Sequence, residues 1–226
     1  MNENINVLTN CILFNHLSFE ELKSFLSNIS YTVKSYKKNE MVFSPNRSSD
    51  TLGIILTGSV DVQKIFASGK AVTVSRRYQQ DLIAEASIFA NIDCYPSTVV
   101  STENSNILLI EKSNLLKLFT MDERIMTKFL ESVSNRILAL NSTIEILSLN
   151  SVPAKISYFL LLEQKKQNSN TIQLKFTKKT LAEHINVSRP TLSRELKNMQ
   201  LKGMLSFTKK TIEIHSSERL EDICAE

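Results

Sequence analysis

Thr177–Leu196 reads TKKTLAEHINVSRPTLSREL, and the organisation of the whole chain can be worked outward from it. Leu181, Ala182 and Ile185 share the inner face of a first short helix, where the small Ala182 lets a second helix cross closely. Asn186 stands where the chain must turn sharply, and asparagine tolerates the left-handed conformation better than most residues. Ser188 is a suitable N-cap, and Pro190 falls in the first helical turn, where its missing N–H costs little. In the second helix Leu192, Leu196 and Met199 recur at spacings of 4 and 3 and should face inward. Pro190, Ser193, Arg194 and Lys197 are then left on the outer face, with Arg189 at the exposed N-terminus.

Two helices in this relation, the second with a basic outer face, suit the major groove of double-stranded DNA. An arginine such as Arg189 or Arg194 can hold guanine through two hydrogen bonds, worth about 1–3 kcal/mol of discrimination. The hydroxyls of Ser188, Thr191 and Ser193, the lysines Lys178 and Lys179, and the helix N-terminus suit phosphate oxygens. The competing interpretation is a solvated charged helix in an ordinary helical domain. It leaves the agreement of turn, cap, inner face and basic outer face unexplained. Beyond Lys202-Gly203, Met204–Phe207, Thr208-Lys-Lys210 and Thr211–His215 read as strand, turn and strand. Such a hairpin is a wing, with Lys209 and Lys210 at its tip as candidate phosphate contacts; a solvated turn is the alternative.

Charge agrees with this assignment. Residues 151–217 hold 12 Lys and Arg against 4 acids (+8), whereas residues 1–150 hold 14 against 15 (−1) and residues 218–226 hold 1 against 4 (−3). Only the back of the chain is built to meet a polyanion.

Working toward the N-terminus, Asn150-Ser-Val-Pro153 marks a helix boundary near Val152 and a candidate hinge. Before it, Met126, Leu130, Val133, Ile137, Leu140, Ile144 and Leu147 recur at spacings of 4 and 3 through residues 121–149. So narrow a stripe favours a helix pairing with its own copy over one packed solely on its own domain. Residues 31–111 change to short apolar runs, among them Met41–Phe43, Leu52–Leu56, Val60–Val62 and Ile107–Ile110, with turns at Thr57-Gly-Ser59 and Ser68-Gly-Lys70. That spacing predicts a sandwich or barrel-like roll. Residues 7–30 have helical spacing, with Ser18 and Glu21 forming a capping box.

Composition excludes several classes. With 42% hydrophobic and 22% charged residues the chain is globular, not disordered. The first residues lack the features of a signal peptide, and no apolar run is long enough to cross a bilayer, so a cytoplasmic protein without a membrane partner is expected. Three scattered cysteines do not make a disulfide framework. No Gly-rich phosphate loop, metal-ligand spacing or nucleophile elbow suggests an enzyme, and Asp122-Glu123 more simply starts a helix.

The chain resembles the CRP/FNR superfamily of bacterial regulators over nearly its whole length. Val187–Leu196 is similar to the family's recognition-helix motif, with Arg189 and Arg194 where members carry base-contacting arginines. Leu52–Val60 resembles a β-roll strand and turn. Leu82–Phe89 with Tyr95–Val99 resembles the effector-pocket cassette, which marks Ala84, Glu85, Ala86, Ser87, Tyr95, Pro96, Ser97 and Thr98 as pocket candidates. The resemblance implies an α+β protein in three parts. These are a cyclic-nucleotide-binding-type β-roll (jelly-roll-like) over 1–120, a dimerisation helix over 121–150, and a winged helix-turn-helix over 151–226. It further implies a homodimer on a pseudo-palindromic operator, a small-molecule effector, and RNA polymerase as a further partner.

Departures from the family pattern bear on the effector. Ala84 replaces the glycine of the family's glycine–glutamate pair, and Tyr95-Pro96 stands where cyclic-nucleotide binders carry a phosphate-binding arginine. No Lys or Arg occurs between Arg77 and Lys112. This argues against cyclic AMP or GMP, because a buried phosphate without a cation loses its strongest contact. Cys11 alone near the N-terminus argues against an iron–sulfur cluster, and His16, the single histidine of the front half, argues against haem. Cys94 is a candidate redox thiol without a basic neighbour in sequence. An uncharged or organic-acid ligand, or none, remains. Pro190 stands where the cyclic-AMP receptor protein has a base-reading glutamate, so no operator preference carries over. A sensor signalling to a protein partner is the rival function, and it leaves the basic cluster of Arg189, Arg194, Lys197, Lys209 and Lys210 without a purpose.

Overall fold

The computed structural model describes residues 2–174 and 177–225, which form two compact units meeting between Asn135 and Arg136. In the first, helices α1 (Asn2–Leu8) and α2 (Phe19–Ser27) precede eight strands. These are β1 (Thr32–Tyr36), β2 (Met41–Phe43), β3 (Thr51–Thr57), β4 (Val60–Ile65), β5 (Ala71–Arg77), β6 (Leu82–Ile83), β7 (Thr98–Ser101) and β8 (Ser105–Glu111). Helix α3 (Lys112–Met121) follows, and then the long α4 (Glu123–Ser148), which continues past the division between the units.

The strands form two four-stranded antiparallel sheets, ordered β1-β8-β3-β6 and β2-β7-β4-β5. Strand β3 shows how its sequence sets its place. Leu52, Ile54 and Leu56 enter one core with Leu8, Phe14, Leu22 and Ile125, while Ile55 joins Tyr36, Phe43, Val60 and Tyr95 in another. A strand buried on both faces reads as a continuous apolar run, as Leu52–Leu56 does. The β3–β4 turn needs Gly58, whose φ is +84° and whose missing Cβ would lie 2.2 Å from Ser105 Oγ.

The second unit takes in the end of α4 and adds α5 (Val152–Gln167), β9 (Thr171–Gln173), α6 (Lys178–His184), α7 (Arg189–Leu201), β10 (Leu205–Phe207), β11 (Thr211–Ile214) and α8 (Ser217–Ala225). Its core joins Ile146, Ile156, Phe159 and Leu160 to Leu181, Leu192, Leu196, Leu205 and Ile212.

Three features differ from the sequence expectation. Residues 9–17 are a chain of tight turns rather than helix, with Phe14 N–H donating to Cys11 O and Leu17 N–H to Phe14 O. Turns of that period bury Leu13, Phe14 and Leu17 at helix-like spacing without a helix. The wing is a three-stranded sheet, β10-β11-β9, whose outer strand is drawn from the loop after α5. The chain also closes with α8, which packs on α5 through Leu220. At the boundary near Val152, Ser151 caps α5 by accepting the Ala154 N–H, so Pro153 opens that helix.

Candidate nucleic-acid interface

Helices α6 and α7 are set by their own ends. Thr177 caps α6 by accepting the Thr180 N–H, and Ser188 caps α7 by accepting the Thr191 N–H. Between them Asn186 takes φ +54°, and the Val187 N–H bonds Ala182 O at 2.9 Å. Leu192, Leu196 and Met199 are buried, and Ala182 is buried where the helices cross. Arg189, Pro190, Ser193, Arg194 and Lys197 are all exposed, with Thr191 half-buried at the edge of that face. Among the described residues no side chain holds Arg189 or Arg194 by a hydrogen bond or ion pair. Ser188 and Thr191 are less available than their hydroxyls suggested, because they bond each other at 2.7 Å besides forming the cap.

Lys209 and Lys210 are exposed at the wing tip, which Thr208 closes through its N–H to Thr211 O at 2.8 Å. The two lysines that open α6 part company. Lys179 is exposed, 3.9 Å from Glu183, whereas Lys178 is half-buried with its ammonium 3.9 Å from the centre of the Phe207 ring. Twenty-nine positions separate Lys178 from Phe207, so no local spacing could have announced the pair.

The effector cassette lies in the first unit. Ala84 adopts φ +69°, the left-handed conformation that glycine favours, so the turn persists with a Cβ in place. Glu85 is buried, which raises its pKa, with Arg77 on β5 opposing that effect from 3.4 Å. The cation missing from residues 78–111 is thus supplied from an adjoining strand. Beside them Arg77, Gln79, Asp81 and Glu85 help line a cleft of about 280 Å³, and Arg77 Nε has no hydrogen-bond partner among the described residues. Ser87 is buried and donates to Ala84 O, while Ala86 is exposed.

Tyr95 lies away from that cleft. It is buried, stacked on Phe43 with centroids 4.5 Å apart, and its hydroxyl donates to Thr51 O while accepting the Thr51 N–H. Pro96 is exposed and accepts from Lys64 Nζ through its carbonyl, Ser97 is half-buried, and Thr98 is buried in β7. Tyr95 shares a core with Ile83 and Ala84 but does not line the cleft beside Glu85. Arg77 and Lys64 escaped the sequence reading because they approach from β5 and β4.

Along α4, Met126, Leu130, Ile137, Leu140, Ile144 and Leu147 are exposed, between 42% and 64%, and Val133 is half-buried against its own unit. Ile125 and Phe129, one position before Met126 and Leu130, supply the helix's contact with that core. Asp122 starts the helix by accepting the Arg124 N–H, and the Arg124 guanidinium holds its carboxyl down at about 2.

Comparison with known proteins connects these parts. Residues 154–223 match the family model of the Crp-like helix-turn-helix domain, and residues 33–122 match that of the cyclic nucleotide-binding domain. The chain belongs to the CRP/FNR superfamily. This CRP/FNR regulator is 23% identical to the global nitrogen regulator of Nostoc sp., over 81% of this chain and 85% of that one. It is 22% identical to the anaerobic regulatory protein of Bacillus subtilis, over 83% and 80% of the two chains. A double mutant of CooA from Carboxydothermus hydrogenoformans shares its fold at a TM-score of 0.60 and 15% identity, covering 86% of this chain and 88% of that structure. Members of the superfamily are DNA-binding transcription regulators, not enzymes, and this regulator is one of them. Among its described residues no cluster of three or more His, Cys, Asp or Glu is placed to hold a metal, and no helix is long and apolar enough to cross a membrane.

Proposed function

We propose that this CRP/FNR regulator acts as a homodimer joined along α4 and reads a pseudo-palindromic operator with α7. The two copies of α7 enter successive major grooves, about 34 Å apart. Arg189 and Arg194 read base edges, with Pro190, Ser193 and Lys197 completing the face. Lys179, Lys209 and Lys210 contact phosphates, and Ser188 and Thr191 hold the helix N-terminus in place for them. The observation that carries this reading is the exposed face of α7, where no side chain among the described residues holds Arg189 or Arg194, above its buried Leu192-Leu196-Met199 stripe. The seam reading draws support from the apolar stripe that α4 leaves exposed from Met126 to Leu147. Functionally the chain divides into a sensor (1–120), a dimer helix (121–150) and a DNA-binding domain (151–226).

The effector, where one is needed, is an uncharged molecule or organic acid rather than cyclic AMP or GMP. Tyr95 is committed to Thr51, and Arg77, a cation beside Glu85, is already paired with it. Such a ligand biases α4 and the Leu149–Ser151 break between two arrangements, of which one presents both α7 helices. RNA polymerase is a further partner in the activating mode. Neither a metal nor an iron–sulfur cluster enters this scheme.

Binding of the purified protein to DNA upstream of its own gene, against excess random competitor, tests the proposal. Specific binding supports it, and salt-sensitive binding without preference points to a missing ligand. Absence of any DNA binding overturns it. Sedimentation tests the dimer: a monomer at micromolar concentration removes the seam.

A further inference from the structure

The wing and the first helix of the helix-turn-helix are joined by Lys178, the first residue of α6, seated on Phe207, the last residue of β10. Burial lowers the Lys178 pKa, and the neighbouring charge of Arg189 lowers it further. A cation over an aromatic face is held more strongly as water is excluded from it. Phe207 packs partly against the core of its unit, so the ring is a fixed seat. Only Thr208 lies between Phe207 and the wing-tip lysines Lys209 and Lys210.

Besides this contact the wing is set by Leu205, Ile212 and Ile214 in the core of its unit and by the Leu174 N–H, which donates to Lys210 O at 2.8 Å. Strands β10 and β9 have three residues each, and the tip is closed by bonds between Thr208 and Thr211. Sheets this short depend on what they are packed against. A contact at the root of the tip therefore adds to what fixes where Lys209 and Lys210 point relative to α6. Contact with Phe207 occupies one side of the half-buried Lys178 ammonium, which leaves it less open to a phosphate than the exposed Lys209 and Lys210.

We propose that Lys178 is a positioning residue, which braces the wing against the helix-turn-helix by seating its ammonium on Phe207 and makes no phosphate contact of its own. The proposal rests on the reading of Lys209 as a phosphate contact.

The test measures binding of the full-length protein to a mixed-sequence DNA duplex over a range of potassium chloride concentrations. Lys178→Met and Phe207→Leu should each weaken binding about three- to tenfold, the pair no more than either alone, and Lys178→Arg should restore it. Losing a phosphate contact lowers the slope of log K against log salt by about 0.9. Lys209→Ala should show that fall, and Lys178→Met less than half of it. Losses that multiply in the pair, or a Lys178→Met slope matching that of Lys209→Ala, overturn the proposal. If Phe207→Leu fails to fold, the ring-current shift of the Lys178 ε-methylene protons decides. A shift that persists when DNA is added supports the brace, and its collapse means the lysine has moved to phosphate. An unchanged slope for Lys209→Ala with the Lys178–Phe207 coupling intact removes the wing reading instead, and the purpose of the brace with it.

Discussion

Helix α7 and the cassette from Leu82 to Thr98 make opposite use of their polar side chains. On α7, Arg189, Ser193, Arg194 and Lys197 point outward and leave their donors for a partner. In the cassette, Tyr95 both gives a hydrogen bond to the Thr51 backbone and takes one from it, Ser87 gives one to Ala84, and Glu85 faces Arg77. A surface that meets a polyanion gains from each donor left open to solvent. Where a group is already answered, a polar ligand gains little from it, because the new bond first breaks an old one; Arg77 Nε, without a partner among the described residues, is the exception in the cleft. One region leaves its polar side chains open, while the other satisfies many of its own within the fold.

Changes on either side can break that contrast. Leu192→Ala should have the largest effect, costing about 2–5 kcal/mol in urea unfolding, because α7 is seated on that side chain. A loss well below that range would mean that the basic face has no rigid backing. Arg194→Ala should leave stability alone and cost about 1–3 kcal/mol of preference for operator over random DNA, read by competition binding. An intact preference would move the reading face elsewhere on α7. Tyr95→Phe should cost about 1–2 kcal/mol of stability by leaving the Thr51 N–H without its acceptor, with operator preference unchanged. A changed preference with unchanged stability would make Tyr95 a signalling residue and erase the difference between the regions. Ala84→Gly should have the smallest effect, a gain of about 0.5–1 kcal/mol in thermal unfolding, by relieving the Cβ strain of φ +69°.

The sequence was most legible where structure is decided locally. The caps Ser18 and Ser188, the left-handed Asn186 and the inner stripe of α7 each depend on neighbours within four positions. Strand β3 was legible because burial on both faces writes an unbroken apolar run. The elements that escaped are short or weakly patterned: β9 has three residues, β6 has two, and α8 buries Leu220 among charged neighbours. The partners of the cassette residues escaped for a different reason. Tyr95 finds its partner 44 positions away at Thr51, and Glu85 finds Arg77 across a strand boundary. Such pairings follow from sheet topology, which adjacency along the chain does not carry.

The bare stripe on α4 has a consequence for how this protein persists at all. On the proposed seam, association covers Leu130, Ile137, Leu140 and Ile144, so the folded form is favoured in proportion to how much of it is present. Its melting temperature then climbs with protein concentration. Few copies would mean a fragile regulator, and abundance itself would act as a stabiliser, so that the amount made and the lifetime of each molecule are set together.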